Sequence, residues 1–196
     1  MILYCKGNTA HLNQKSIAVI GTRNPTEEGV VASEYIGSFF AKKGCNILSG
    51  FAVVCDSHAH EGAIKTKGFT TAVLPVGLDS VYPKENIELA KQIIDNSGLL
   101  ISEYPIETSI TKYNLVQRDM IVASMSDFGI AIQSTVDGGT IITAKEILKQ
   151  KKPLYMVKYK SSDVINSDVF RGNTFLESIG REFITMGDVD DVIKYY

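Results

Sequence analysis

The chain carries no surplus of basic residues. Against 20 Lys and Arg stand 22 Asp and Glu, a formal net charge of −2. A general attraction for nucleic acid needs a Lys- and Arg-rich face, so any contact with a polyanion must come from a local pocket. Cysteine is scarce as well. Cys5, Cys45 and Cys55 lack CxxC spacing, and each lies in or beside an apolar run. This excludes a disulfide framework and predicts free, buried thiols in a reducing cytosol. No apolar run reaches the length of a membrane span, and the first residues show no charged-then-apolar leader pattern. A cytoplasmic protein without membrane contact is expected. Also missing are GxGxxG, a P-loop, HExxH spacing and a GxSxG elbow. NAD, FAD, ATP hydrolysis, a zinc hydrolase and a serine nucleophile thus lack their usual signatures, and neither a cofactor nor a metal is expected.

What is present is an alternation. Apolar runs rich in β-branched residues fall at Ile17–Ile20, Asn46–Leu48, Thr70–Val76, Leu99–Ser102, Phe128–Ile132 and Pro153–Val157. Between them lie stripes at helical spacing, such as Val31, Tyr35, Ile36, Phe39 and Phe40, or Ile141, Ile142, Ala144, Ile147 and Leu148. Continuous apolar strands alternating with helices imply a sheet covered on both faces. The fold class predicted is α/β, doubly wound, with a mostly parallel sheet. The 196 residues read as one domain. Residues 1–15 add a short strand (Ile2–Cys5) and a turn at Gly7-Asn8, and 160–196 form a C-terminal extension. That extension has a helix near Thr174–Ile179, a strand near Phe183–Met186 and a last helix from about Asp188.

Ligands of such folds sit at the carboxyl ends of the strands, and there the glycine-rich turns fall. Gly21-Thr22-Arg23 follows the first long run and precedes a helix. Backbone N–H groups at a helix start, with the dipole and the fork of Arg23, suit a phosphate. Ser49-Gly50-Phe51-Ala52 is a second turn, Gly77 to Pro83 a third, and Gly138-Gly139-Thr140 a fourth. Any one of them is equally a turn demanded by helix–strand packing. Asp56, His58 and His60 invite a metal reading, but only Asp56 and His60, four apart, share a helix face, His58 points elsewhere and no third ligand is evident; Asp56 is expected to cap its helix and bond locally to the loop or to His60. Glu103, after a strand end, could orient a basic residue or a ribose hydroxyl, or be a solvated loop carboxylate. Arg118 is read as opening an apolar helix, Ile121-Val122-Ala123, beside the other turns.

In order, GTR, SGFA with D-S-H-A-H, GLDSVYP with Asn86 behind it, SEYP, Arg118 and GGTIITA resemble the DNA-processing protein A (DprA, or Smf) family from Leu3 to about Lys152. The resemblance implies an extended Rossmann-like domain that binds single-stranded DNA, forms homodimers and passes DNA to RecA during natural transformation, without enzymatic activity. The phosphate contacts it implies are Gly21, Thr22, Arg23, Ser49, Gly50, Arg118, Gly138, Gly139 and Thr140. The family pattern has Gly at the position of Val54 and Arg-Asn-Arg at that of Arg118-Asp119-Met120, so positive charge is lost here. Met156-Val157-Lys158 replaces a family Pro-Gly. Two other functions fit the same fold. One is a nucleotide-sensing module. The other is a phosphoribohydrolase similar to the cytokinin-activating LOG proteins. Their PGGxGTxxE signature lacks its further Gly here, and Lys145 stands where the Glu is needed.

Overall fold

The protein is described from a computed structural model over residues 2–185, together with Gly187 and Val192. Its strands are β1 (Tyr4–Gly7), β2 (Ser16–Ile20), β3 (Asn46–Ser49), β4 (Thr70–Val73), β5 (Leu99–Ser102), β6 (Phe128–Ala131), β7 (Leu154–Val157) and β8 (Glu182–Ile184). Its helices are α1 (Glu27–Lys42), α2 (Cys55–Lys65), α3 (Ile87–Asp95), α4 (Lys112–Met125), α5 (Gly139–Lys149), α6 (Ser162–Ile165) and α7 (Arg171–Ser178). The strands make one sheet in the order β1-β5-β4-β3-β2-β6-β7-β8. β1 runs antiparallel to β5, and every other pairing is parallel.

The side-chain period of two divides each strand between two cores. Ile17 and Val19 of β2 join Ile36 and Phe40 of α1 and Ala59 and Ala63 of α2 on one face. Ala18 and Ile20 join Ile121 and Val122 of α4 and Ile141 and Ala144 of α5 on the other. All five residues of β2 are buried, as are all four of each strand from β3 to β6. Hence these strands read as unbroken apolar runs. Under Phe51, α3 closes a third cluster through Leu89, Ala90 and Ile93.

Several boundaries differ from the sequence reading. The run at Thr70–Val76 leaves the sheet after Val73, and Leu74 still donates to the Ile101 carbonyl at 2.8 Å. Pro75 then has no N–H to continue the ladder. The first strand lies at Tyr4–Gly7 rather than Ile2–Cys5, and as an edge strand it leaves the Cys5 thiol exposed, whereas Cys45 and Cys55 are buried as expected. Gly7 belongs to it, at φ 115°, because a Cβ there would meet the Gly98 carbonyl at 2.2 Å. Arg118 does not open its helix. α4 begins at Lys112, capped by Thr111, whose hydroxyl accepts from the Asn114 N–H at 3.1 Å, and Arg118 sits mid-helix. Met186 and the helix expected from Asp188 lie outside the described residues. None of the described helices is long and apolar enough to cross a membrane.

Strand order reverses at β2. From it the chain winds outward through β3, β4 and β5, and α4 then carries it back to β6 on the other side. The crevice of a doubly wound sheet opens at such a switch point. Here that means the loops after β2 and β6.

Candidate functional site

Those two loops are bonded to each other. The Thr22 N–H donates to the Gln133 carbonyl at 2.8 Å. The Gln133 side chain then clamps the start of α1: its Oε1 accepts from the Thr26 N–H and its Nε2 donates to the Thr26 hydroxyl, both at 2.9 Å. Thr26 in turn caps α1 by accepting from the Gly29 N–H at 3.3 Å. Gln133 carries no motif signal, and sequence reasoning missed it.

Between these loops and α4 lies a cleft of about 400 Å³. Gly21, Thr22, Arg23, Gly50, Arg118, Gly138, Gly139 and Thr140 line it, all of them expected from the sequence. Ser49 does not. It is fully buried, and its hydroxyl donates to the Val19 carbonyl at 2.5 Å, holding β3 beneath the cleft. Lys112, Asp56 and Asp119 complete the ionisable lining. Arg23 and Arg118 also share a smaller recess with Phe51, Tyr82 and Pro83, so the two guanidinium groups belong to one place although 95 positions separate them in sequence.

Arg118 is buried, and its Nε faces the Asp119 carboxylate at 2.9 Å. Its Nη1 and Cζ lie against Gly50, where a Cβ would come within 2.4 Å and 2.6 Å of them. Gly50 is thus the residue that lets a guanidinium press on the backbone. On the far wall, α5 starts at Gly139 behind Gly138, which has no side chain to cap it. The Ile141 N–H donates to the Gly138 carbonyl at 3.0 Å, so the Gly139 and Thr140 N–H groups are the ones that α5 offers to an anion.

Asp56 accepts from the Ala52 N–H at 3.0 Å and so fastens the SGFA loop, as expected, but it does not cap α2: it lies within the first turn, Val54 holds the N-cap position, and no side chain caps the helix. Burial pushes its carboxyl up to about 6, against the opposing pull of Arg118, the Ala52 N–H and Ser49. The same burial raises Asp119, while Arg118 and Arg23 hold it down. His60 turns away from Asp56. Its Nδ1 lies 2.6 Å from the Thr70 hydroxyl, and burial depresses it to about 3. Asp56 and His60 therefore do not converge on a metal, and no group of three metal-ligating side chains forms among the described residues.

The remaining motifs are supports. Asn86 donates to the Phe51 carbonyl at 2.9 Å and accepts from Ser57 at 3.1 Å, which stiffens the second turn. Asp79 of the third turn accepts from the Glu107 N–H at 3.1 Å. Glu103 lies outside the cleft lining and raises the Tyr104 hydroxyl beside it, after burial, beyond its ordinary range. Lys145 also misses the cleft; its Nζ lies 5.3 Å over the Phe175 ring.

A model of the family described as DNA recombination-mediator protein A matches residues 1–193. DNA processing protein DprA of Bacillus subtilis is 33% identical over 157 residues, 80% of this chain and 52% of its own. Protein Smf of Escherichia coli is 28% identical over 153 residues, 78% of this chain and 41% of its own. The chain spans about half the length of the curated relatives it matches. Among solved structures, DNA processing protein A of Helicobacter pylori, studied for its single-stranded DNA binding mode, has a TM-score of 0.88 at 28% identity and covers 99% of this chain and 87% of its own. DprA of Streptococcus pneumoniae has a TM-score of 0.85 at 26% identity, covering 95% of this chain and 64% of its own. A molybdenum cofactor binding protein of Rippkaea orientalis shares the fold, with a TM-score of 0.64 at 20% identity, over 93% of this chain and 97% of its own.

Proposed function

The chain belongs to the DNA recombination-mediator protein A family, and from that premise we propose that it binds single-stranded DNA in the cleft at the carboxyl edge of β2, β3 and β6. One observation carries the reading. A buried Arg118 meets Arg23 and the uncapped start of α5 across a single cleft. A fixed guanidinium and aligned N–H groups are the complement of a phosphate. Gly21, Thr22, Gly50, Gly138, Gly139 and Thr140 supply backbone and hydroxyl contacts, and Ser49 supports them from below. The chain handles DNA without cleaving it. Homodimerisation and delivery of DNA to RecA are included in the proposal, to be read by light scattering and by co-precipitation with RecA on single strands.

Fluorescence anisotropy with a labelled 20-mer of thymidine tests the core of it. Arg23 is exposed, so Arg23→Ala leaves the fold intact. The variant should bind more weakly and lose about 0.7 from the slope of log K against log salt, one phosphate contact. Absence of binding by the unaltered protein would overturn the reading.

A second reading rests on the size of the cleft. At about 400 Å³ it falls within the range of small-ligand sites. A mononucleotide would then be the ligand, and thermal-shift comparison of mononucleotides with oligonucleotides separates the two. The LOG-like hydrolase loses ground on Lys145, which packs on Phe175 and brings no carboxylate to the cleft.

A further inference from the structure

The cleft is not simply basic. Arg23, Lys112 and Arg118 face Asp56 and Asp119, three cations against two carboxylates. Asp119 is the closer competitor of a ligand. Its Oδ1 takes Nε of Arg118 at 2.9 Å, and its Oδ2 lies 3.7 Å from where a Cβ on Gly139 would stand. One carboxylate oxygen therefore holds the guanidinium, and the other faces the start of α5, the place an incoming phosphate would occupy. Its side chain is only 14% exposed, so water does little to screen it.

The surplus of one positive charge has a chemical meaning. A phosphodiester carries one negative charge. A phosphomonoester carries close to two above its second ionisation near pH 6. Beside Oδ2 of Asp119, at the start of α5, a monoester sets its second charge against a carboxylate that water does little to screen, and a diester sets one charge fewer there. We propose that Asp119 is a specificity-determining residue that makes the cleft accept internal phosphodiesters and reject terminal phosphates and free mononucleotides. This rests on the reading of the cleft as a DNA site and names the kind of phosphate that site takes.

The test pairs two ligands that differ by one methyl group and one charge: thymidine 5′-monophosphate and its monomethyl ester. Each is titrated into the ¹⁵N-labelled protein at pH 8, following amide shifts by NMR, and the labelled thymidine 20-mer is titrated in parallel by anisotropy. The methyl ester should bind the unaltered protein more tightly, by on the order of tenfold for one added like charge at this range. Because the monophosphate loses two charges' worth of repulsion and its ester only one, Asp119→Asn should shrink or reverse that ratio. Asp119→Glu, which keeps the charge, should preserve it. A merely structural Asp119 would change both ligands by the same factor and leave the ratio where it was. Equal binding of the two ligands by the unaltered protein overturns the inference whether or not the variants fold, and so does failure of both to bind. Discrimination between them with no binding of the 20-mer would overturn the DNA reading and leave the charge selection standing.

Discussion

Val54 holds φ 68° and ψ −93°, a backbone conformation that suits glycine and crowds a β-branched side chain. The position is fixed from both sides, by Asp56 on the Ala52 N–H and by the His58 N–H on the Val54 carbonyl at 2.9 Å. Such strain costs about 1–3 kcal/mol, whereas a glycine adds roughly 1 kcal/mol of unfolded-state entropy. Val54→Gly should therefore stabilise by about 1 kcal/mol, measured by urea unfolding; a loss of stability would show that the loop relaxes around valine. Two neighbouring buried groups set a pH dependence. Folded Asp56 keeps its proton up to about pH 6, and the unfolded chain releases it near 3.9, so its contribution falls as pH rises through that window. His60 is opposite: the unfolded chain protonates near 6.5 while the folded site refuses to about 3, so its contribution falls as pH drops. Between pH 4 and 6 the two slopes cancel. Asp56→Asn leaves His60 alone, and on acidification the variant should lose stability faster than the unaltered protein, by about 1.4 kcal/mol per pH unit. Parallel profiles would mean that Asp56 is ionised throughout.

Among the elements, α1 and α2 are the tightest pair. A Cβ on Gly37 would meet the Ala59 carbonyl at 2.1 Å, and one on Gly62 the Glu34 carbonyl at 2.2 Å. Backbone cannot step aside as a side chain can. Gly62→Ala should cost about 1–3 kcal/mol in urea unfolding with little change in affinity for the 20-mer, since α2 meets the cleft only through Asp56. The strands of the central sheet were legible because burial on both faces writes them as apolar runs. β1 was legible only approximately: all four of its residues are exposed, so no burial pattern marks its ends or its antiparallel direction. The start of α4 was missed because its first turns bury Asn114 and Arg118 in place of an apolar stripe. The Arg and Gly positions of the cleft could be read from motif order. Gln133 could not, since a glutamine after a strand looks like any surface glutamine until Thr26 is seen opposite it.

For the molecule as a whole, a net charge of −2 leaves attraction for DNA to the cleft. Three cations line it, and each phosphate neutralised on a single strand contributes about 0.7. The slope of log K against log salt should then be no steeper than about −2, read by anisotropy from 50 to 200 mM salt. A markedly steeper slope would show that surface beyond the cleft takes part. The bond between the Thr22 N–H and the Gln133 carbonyl, with the clamp on Thr26 behind it, joins the two loops that form one side of the cleft before any visitor arrives. A strand settling there meets a mould already set. Its arrival needs no ordering of the protein, so speed of capture would be governed by collision and charge, and the choice among visitors by how soon each one leaves.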